Sequence, residues 1–156
     1  MNYTKQMQQI VSDYRTAWQP WPATAKEIAA WAIANRRWAM PTTAVINRCS
    51  QDVAEAMGEL YFTDSSGRRV RALHPATVSR QGVLCTEWDD LRTASRSHMA
   101  LSYQQHRRRI VGECRELNTA RMSWNDLHAK EQPIQISFDF TMDLAELGAS
   151  DGDAAA

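Results

Sequence analysis

The chain has 156 residues with equal acidic and basic counts of 18 each. That length suits one domain of ordinary size with a real core, and the zero net charge argues against a protein coated uniformly for nucleic acid or an anionic surface. No charged-then-apolar leader pattern opens the sequence and no apolar run approaches bilayer length, so the expectation is a soluble cytoplasmic protein.

The charges are unevenly placed. From Glu131 onward there are six acidic residues and no basic one, which leaves 18 basic against 12 acidic residues in the first 130, a balance of +6. Fifteen of the basic residues are Arg. That bias suits forked contact with phosphate, carboxylate or guanine edges, and equally fits a host genome of particular base composition. Cys49, Cys85 and Cys114 are odd in number and far apart, with no ligand spacing, so neither a disulfide framework nor a zinc site is expected and a reducing compartment fits.

In chain order, Met7, Ile10, Val11, Tyr14 and Trp18 recur at helical spacing and predict a helix over 4–18. Thr24 followed by Glu27 is a capping-box pattern that opens a second helix, ending near Asn35 to Trp38. Pro41 suits the first turn of a third helix, whose apolar stripe is Val45, Ile46, Cys49, Val53, Met57 and Leu60. Its polar face carries Thr43, Asn47, Arg48 and Gln51.

"YFTDSSGRRVRAL" reads as strand, turn, strand, with Asp64, the serines and Gly67 supplying the turn, and a further strand is expected at "GVLCTEW" behind a Gln81-Gly82 turn. A long helix begins near Thr93, capped by Asp89, Asp90 or Thr93, with a stripe of Met99, Tyr103, Ile110, Val111, Cys114, Leu117 and Met122. Its His106-Arg107-Arg108-Arg109 run spreads around the helix and is read as a solvated surface paired in part with Glu113 and Glu116. A stripe of this length must bury itself against something, and a second copy of the chain is a fitting partner. "PIQISFDF" alternates Ile134, Ile136, Phe138 and Phe140 as a strand or an extended peptide does, a short amphipathic turn follows at "TMDLAEL", and 148–156 reads as a disordered acidic tail.

The expected fold class is therefore mainly α with a small antiparallel β sheet (α+β), divided as 1–92, a long helix at 93–130, a strand or interaction peptide at 131–147, and the tail. Thr24 to Pro75, in the order helix, helix, hairpin, resembles a winged helix-turn-helix domain, with Thr42 to Leu60 in the recognition-helix position and "YFTDSSGRRVRALHP" as the wing. The link "RRWAMP" is longer than that family's turn. The resemblance implies a recognition helix in the major groove and a wing on the backbone or in the minor groove of duplex DNA. Arg68, Arg69 and Arg71 would contact phosphate or the minor groove, and Thr43, Asn47, Arg48 and Gln51 would face base edges. The alternative is an exposed hairpin whose arginines pair with acids such as Asp64, in a winged fold used for protein contact.

"QISFDF" also resembles the short peptide by which bacterial proteins bind the replication sliding clamp. That resemblance implies a polar pocket for Gln135 and an apolar groove for Ile136, Phe138 and Phe140, and with it a replication-associated adaptor, bacterial or from a phage or other mobile element. No catalytic fingerprint is present, so no enzyme activity, cofactor or metal is expected. Glu87, Asp89 and Asp90 resemble a nuclease carboxylate cluster, but helix capping explains the aspartates more simply.

Overall fold

The computed structural model describes residues 2–40 and 43–154, for 150–154 the backbone alone. The fold is α+β, mainly helical, with two separate two-stranded antiparallel sheets where the sequence predicts one small sheet. The chain divides into two compact units, Met1–Asp52 and Val53–Ala156.

In the first unit, α1 (Tyr3–Thr16) is capped by Asn2, whose Oδ1 accepts from Lys5 N at 2.8 Å. α2 (Ala25–Ala34) has the predicted capping box: Glu27 N donates to Thr24 Oγ1 at 3.2 Å, and Thr24 N donates to Glu27 Oε2 at 2.6 Å. These bonds, the Thr24 backbone N–H first, hold the Glu27 carboxyl below its ordinary range. Removing the cap with Thr24→Ala should destabilise this unit by about 1 kcal/mol in chemical denaturation. The two helices bury Ile10, Tyr14 and Ala32, and the Tyr14 ring meets Trp31 edge-to-face at 5.5 Å.

α3 (Ala44–Gly58) is shorter than the sequence predicts, and the Pro41 start lies outside the described residues. It buries none of its residues, so the predicted stripe is open, with Val45 64 % and Ile46 74 % exposed.

In the second unit, β1 (Tyr61–Thr63) pairs with β2 (Arg69–Arg71), Tyr61 opposite Arg71 and Thr63 opposite Arg69. β3 (Leu73–Arg80) pairs with β4 (Val83–Asp90) through a two-residue Gln81-Gly82 turn in which both residues have positive φ, 51° and 79°. That conformation matches strand twist and suits glycine at the second place. β3 is a strand that the sequence pattern does not reveal, because Pro75 interrupts it and its apolar residues Leu73, Ala76 and Val78 keep no strict alternation.

α4 (Arg96–Leu127) is capped by Ser95, whose Oγ accepts from His98 N at 3.1 Å, and not by Asp89, Asp90 or Thr93. Asp90 instead accepts from Arg92 N at 2.9 Å and pairs with its guanidinium at 2.7 Å. The first turns of α4 cover the outer edge of β3. Ser102 Oγ donates to Pro75 O at 2.6 Å, and the Gln105 amide makes two 2.8 Å bonds with Thr77, accepting from its N–H and donating to its C=O. Gln105 thus acts as a strand partner for an edge that would otherwise be open. Pro75 is tolerated because alternate residues of a strand point the same way, so its missing N–H faces this helix and not the β4 ladder.

After α4 the chain returns, with Ile134 held by Asn125: Ile134 N donates to Asn125 Oδ1 at 2.9 Å and Asn125 Nδ2 donates to Ile134 O at 3.0 Å. Residues 132–140 form no strand, because Ile134 is paired by side chains in place of a neighbouring backbone. The terminal turn is a full helix, α5 (Thr141–Ala154), whose backbone continues through Gly148 where the composition predicts a disordered tail. Among the described residues no helix is long and apolar enough to cross a membrane.

Candidate nucleic-acid interface

The β1–β2 hairpin is organised by Asp64. Its Oδ1 accepts from Ser66 N and Arg68 N, both at 2.9 Å, while Gly67 supplies φ +80°. Asp64 Oδ2 accepts from Arg68 Nε at 2.7 Å, and the Arg68 backbone bond is the main reason its carboxyl sits below the ordinary range. Among the described residues, the carboxylate pairing named above in the alternative to DNA contact is made by Arg68 and not by Arg69 or Arg71.

Arg69 and Arg71 stand two residues apart on β2 and share a face. The Arg69 guanidinium lies 4.0 Å from the centre of the Tyr61 ring, and Arg71 Nε donates to Tyr61 Oη at 3.0 Å. No sequence signal marks Tyr61 as part of this face. Its placement follows from the hairpin register, which sets it opposite Arg71. Among the described residues neither Arg69 nor Arg71 has an acidic partner. Both are exposed, their guanidinium groups set against one aromatic ring. Phe62 points to the other face, with the Arg92 guanidinium 4.7 Å over its ring.

The bidentate Arg92 contact, before all else, holds the Asp90 carboxyl down at about 2 against an ordinary 3.8. A carboxyl whose folded value is lowered stabilises the fold above its unfolded value, so this contribution should be intact above about pH 4 and lost between there and pH 2. A carbon-detected carboxylate titration should give a midpoint of about 2 for Asp90, returning toward 3.8 in Arg92→Ala.

Thr43, Asn47, Arg48 and Gln51 come together in the first unit. With Tyr3, Gln6, Trp38 and Met40 they line an open groove of about 640 Å³. The Arg48 guanidinium is 3.0 Å from Asp52, one turn on, which limits its reach as a free cation. The side chains of Asn47 and Gln51 make no hydrogen bond among the described residues. These four residues belong to Met1–Asp52 and the wing arginines to Val53–Ala156.

Gln135, Ile136, Phe138 and Phe140 lie on the extended segment, all exposed, with Phe138 and Phe140 in edge contact at 6.5 Å. Among the described residues Glu113 and Glu116 form no ion pair with the His106–Arg109 run, against the in-helix pairing expected there. Glu87 is paired with Arg80, Asp90 with Arg92, and Asp89 accepts from Asp90 N at 2.7 Å. No three metal-ligating side chains converge among the described residues. The cysteines are all free thiols. No family model, curated protein or solved structure matches the chain.

Proposed function

We propose that the chain binds duplex DNA without enzymatic activity, in a regulatory or replication-accessory role, with Arg69 and Arg71 on the phosphate backbone. The observation that carries this reading is the exposed face of the β1–β2 hairpin, where two guanidinium groups flank Tyr61 and no carboxylate among the described residues neutralises either. Guanidinium forks match phosphate oxygens, and an ordered arginine stem gives up less freedom on binding. The resemblance of Thr24 to Pro75 to a winged helix-turn-helix domain points the same way. Asn47, Gln51 and Thr43, with Arg48 after release from Asp52, are the residues offered for base edges. The free thiols suit a reducing cytoplasm.

A labelled duplex of random sequence, titrated with the full chain at low salt, tests the proposal. Binding that weakens as salt rises supports it, and no binding at low salt overturns it.

A second reading is a protein-interaction adaptor, favoured by the extended 135–140 segment. Its backbone joins no sheet and it presents Gln135, Ile136, Phe138 and Phe140 together, the form a peptide takes when it docks into a partner such as a sliding clamp. Partner capture that ends on truncation before Gln135, with DNA binding untouched, would favour the adaptor.

A further inference from the structure

α4 has three distinct long faces. His98, Ser102 and Gln105 face β3 and bond its backbone. Cys114, Asn118, Arg121 and Asn125 are half-buried, and the last two hold the returning Ile134. Between these faces runs a third stripe, Tyr103, Ile110, Leu117 and Trp124, with exposures of 50, 45, 51 and 38 %. Its members are seven residues apart, the spacing at which one helix lies along another.

We propose that this stripe is the contact between two copies of the chain, paired antiparallel about a two-fold axis. Three arguments select a second copy. The stripe spans 21 residues, about 32 Å of helix, and four half-exposed large side chains offer on the order of 400 Å² of apolar surface. That matches the non-polar half of a standard interface of about 800 Å² per partner.

The charges are also self-complementary. Residues 103–124 carry five arginines against two glutamates, while 131–147 carry four acids and no base. Arg107, Arg108 and Arg109 have no ion-pair partner among the described residues. Arg108 and Arg109 turn away from the stripe, about 160° and about 100° from Ile110, but Arg107 lies within about 60° of it, so a two-fold pairing lets Arg107 of each copy meet the acidic 131–147 block of the other, twice over, as an isologous contact requires. Finally, Arg107, Glu113 and Arg121 flank the stripe with both signs of charge, a pattern that suits a helix partner and not a lipid surface.

Sedimentation equilibrium of the full chain, without DNA, tests this apart from the proposal for the wing. The expected mass is twice the 17.7 kDa of one chain, falling toward it as salt rises. Leu117→Glu should weaken the dimer about a hundredfold, since the two-fold axis brings the added charges near each other. Val111→Glu puts the same charge on α4 about 100° from Ile110, off the stripe, and should leave the dimer intact. Far-UV circular dichroism of both variants reports folding, and Trp124→Lys replaces Leu117→Glu if the latter loses helix. A wild-type mass of one chain at all concentrations overturns the proposal. So does a dimer that survives the stripe variants, or one that Val111→Glu disrupts equally.

Discussion

Replacing Tyr14 with alanine should unfold the Met1–Asp52 unit at ambient temperature while leaving the signals of α4 and the β3–β4 hairpin in place. Tyr14 is 4 % exposed, and it is the largest side chain among the few that this unit buries, with Ile10 and Ala32. Its ring meets Trp31 edge-on and its hydroxyl donates to Pro20 O at 3.2 Å, tying the end of α1 to the link that follows. Truncating a buried aromatic costs about 3–5 kcal/mol, comparable to the whole stability of a unit this small. Amide hydrogen exchange followed by mass spectrometry should show α1 and α2 losing protection while β3 and the first turns of α4 keep theirs. Tyr14→Phe keeps the ring and should remove only the hydroxyl bond, about 1 kcal/mol.

The joint change of Arg69 and Arg71 to alanine should weaken DNA binding at low salt by roughly tenfold to a hundredfold, with little effect on folding. Both arginines are exposed, so within the hairpin the change touches only their packing on Tyr61 and the exposed hydrogen bond from Arg71 Nε to its hydroxyl. Arg68→Ala should behave differently. It removes the partner of the carboxylate that organises the turn, so its main effect falls on hairpin stability, with DNA affinity changed much less. The three arginines look equivalent in the sequence, and the geometry around Asp64 separates them.

How much of this is legible in the sequence varies with how local the determinant is. The capping box at Thr24 and Glu27, the Asp64-Gly67 turn and the Gln81-Gly82 turn are fixed by residues within four positions of each other, and each forms where the sequence places it. β3 is hidden because its identity as a strand depends on Ser102 and Gln105, 27 and 28 residues away, which accommodate Pro75 and complete the edge at Thr77. The alternation of Ile134, Ile136, Phe138 and Phe140 resembles a strand, but alternation reports a face and cannot supply a neighbouring strand. Ser95 is easily overlooked as the cap of α4 because three nearby aspartate and threonine side chains fit the same preference, and Asp90 is instead occupied by Arg92. Within the candidate interface, sequence names the arginines without separating the one held by a carboxylate from the two beside Tyr61. That distinction needs the register of the hairpin.

The most direct test of the central claim is the slope of log K against log salt for a labelled random duplex, measured by fluorescence anisotropy with wild type and with Arg69→Ala/Arg71→Ala. Phosphate binding predicts a negative slope for wild type that is shallower by about two in the double variant, one for each arginine removed from the backbone. A wild-type chain that does not bind at low salt, or a double variant with the same affinity and the same slope, would contradict it.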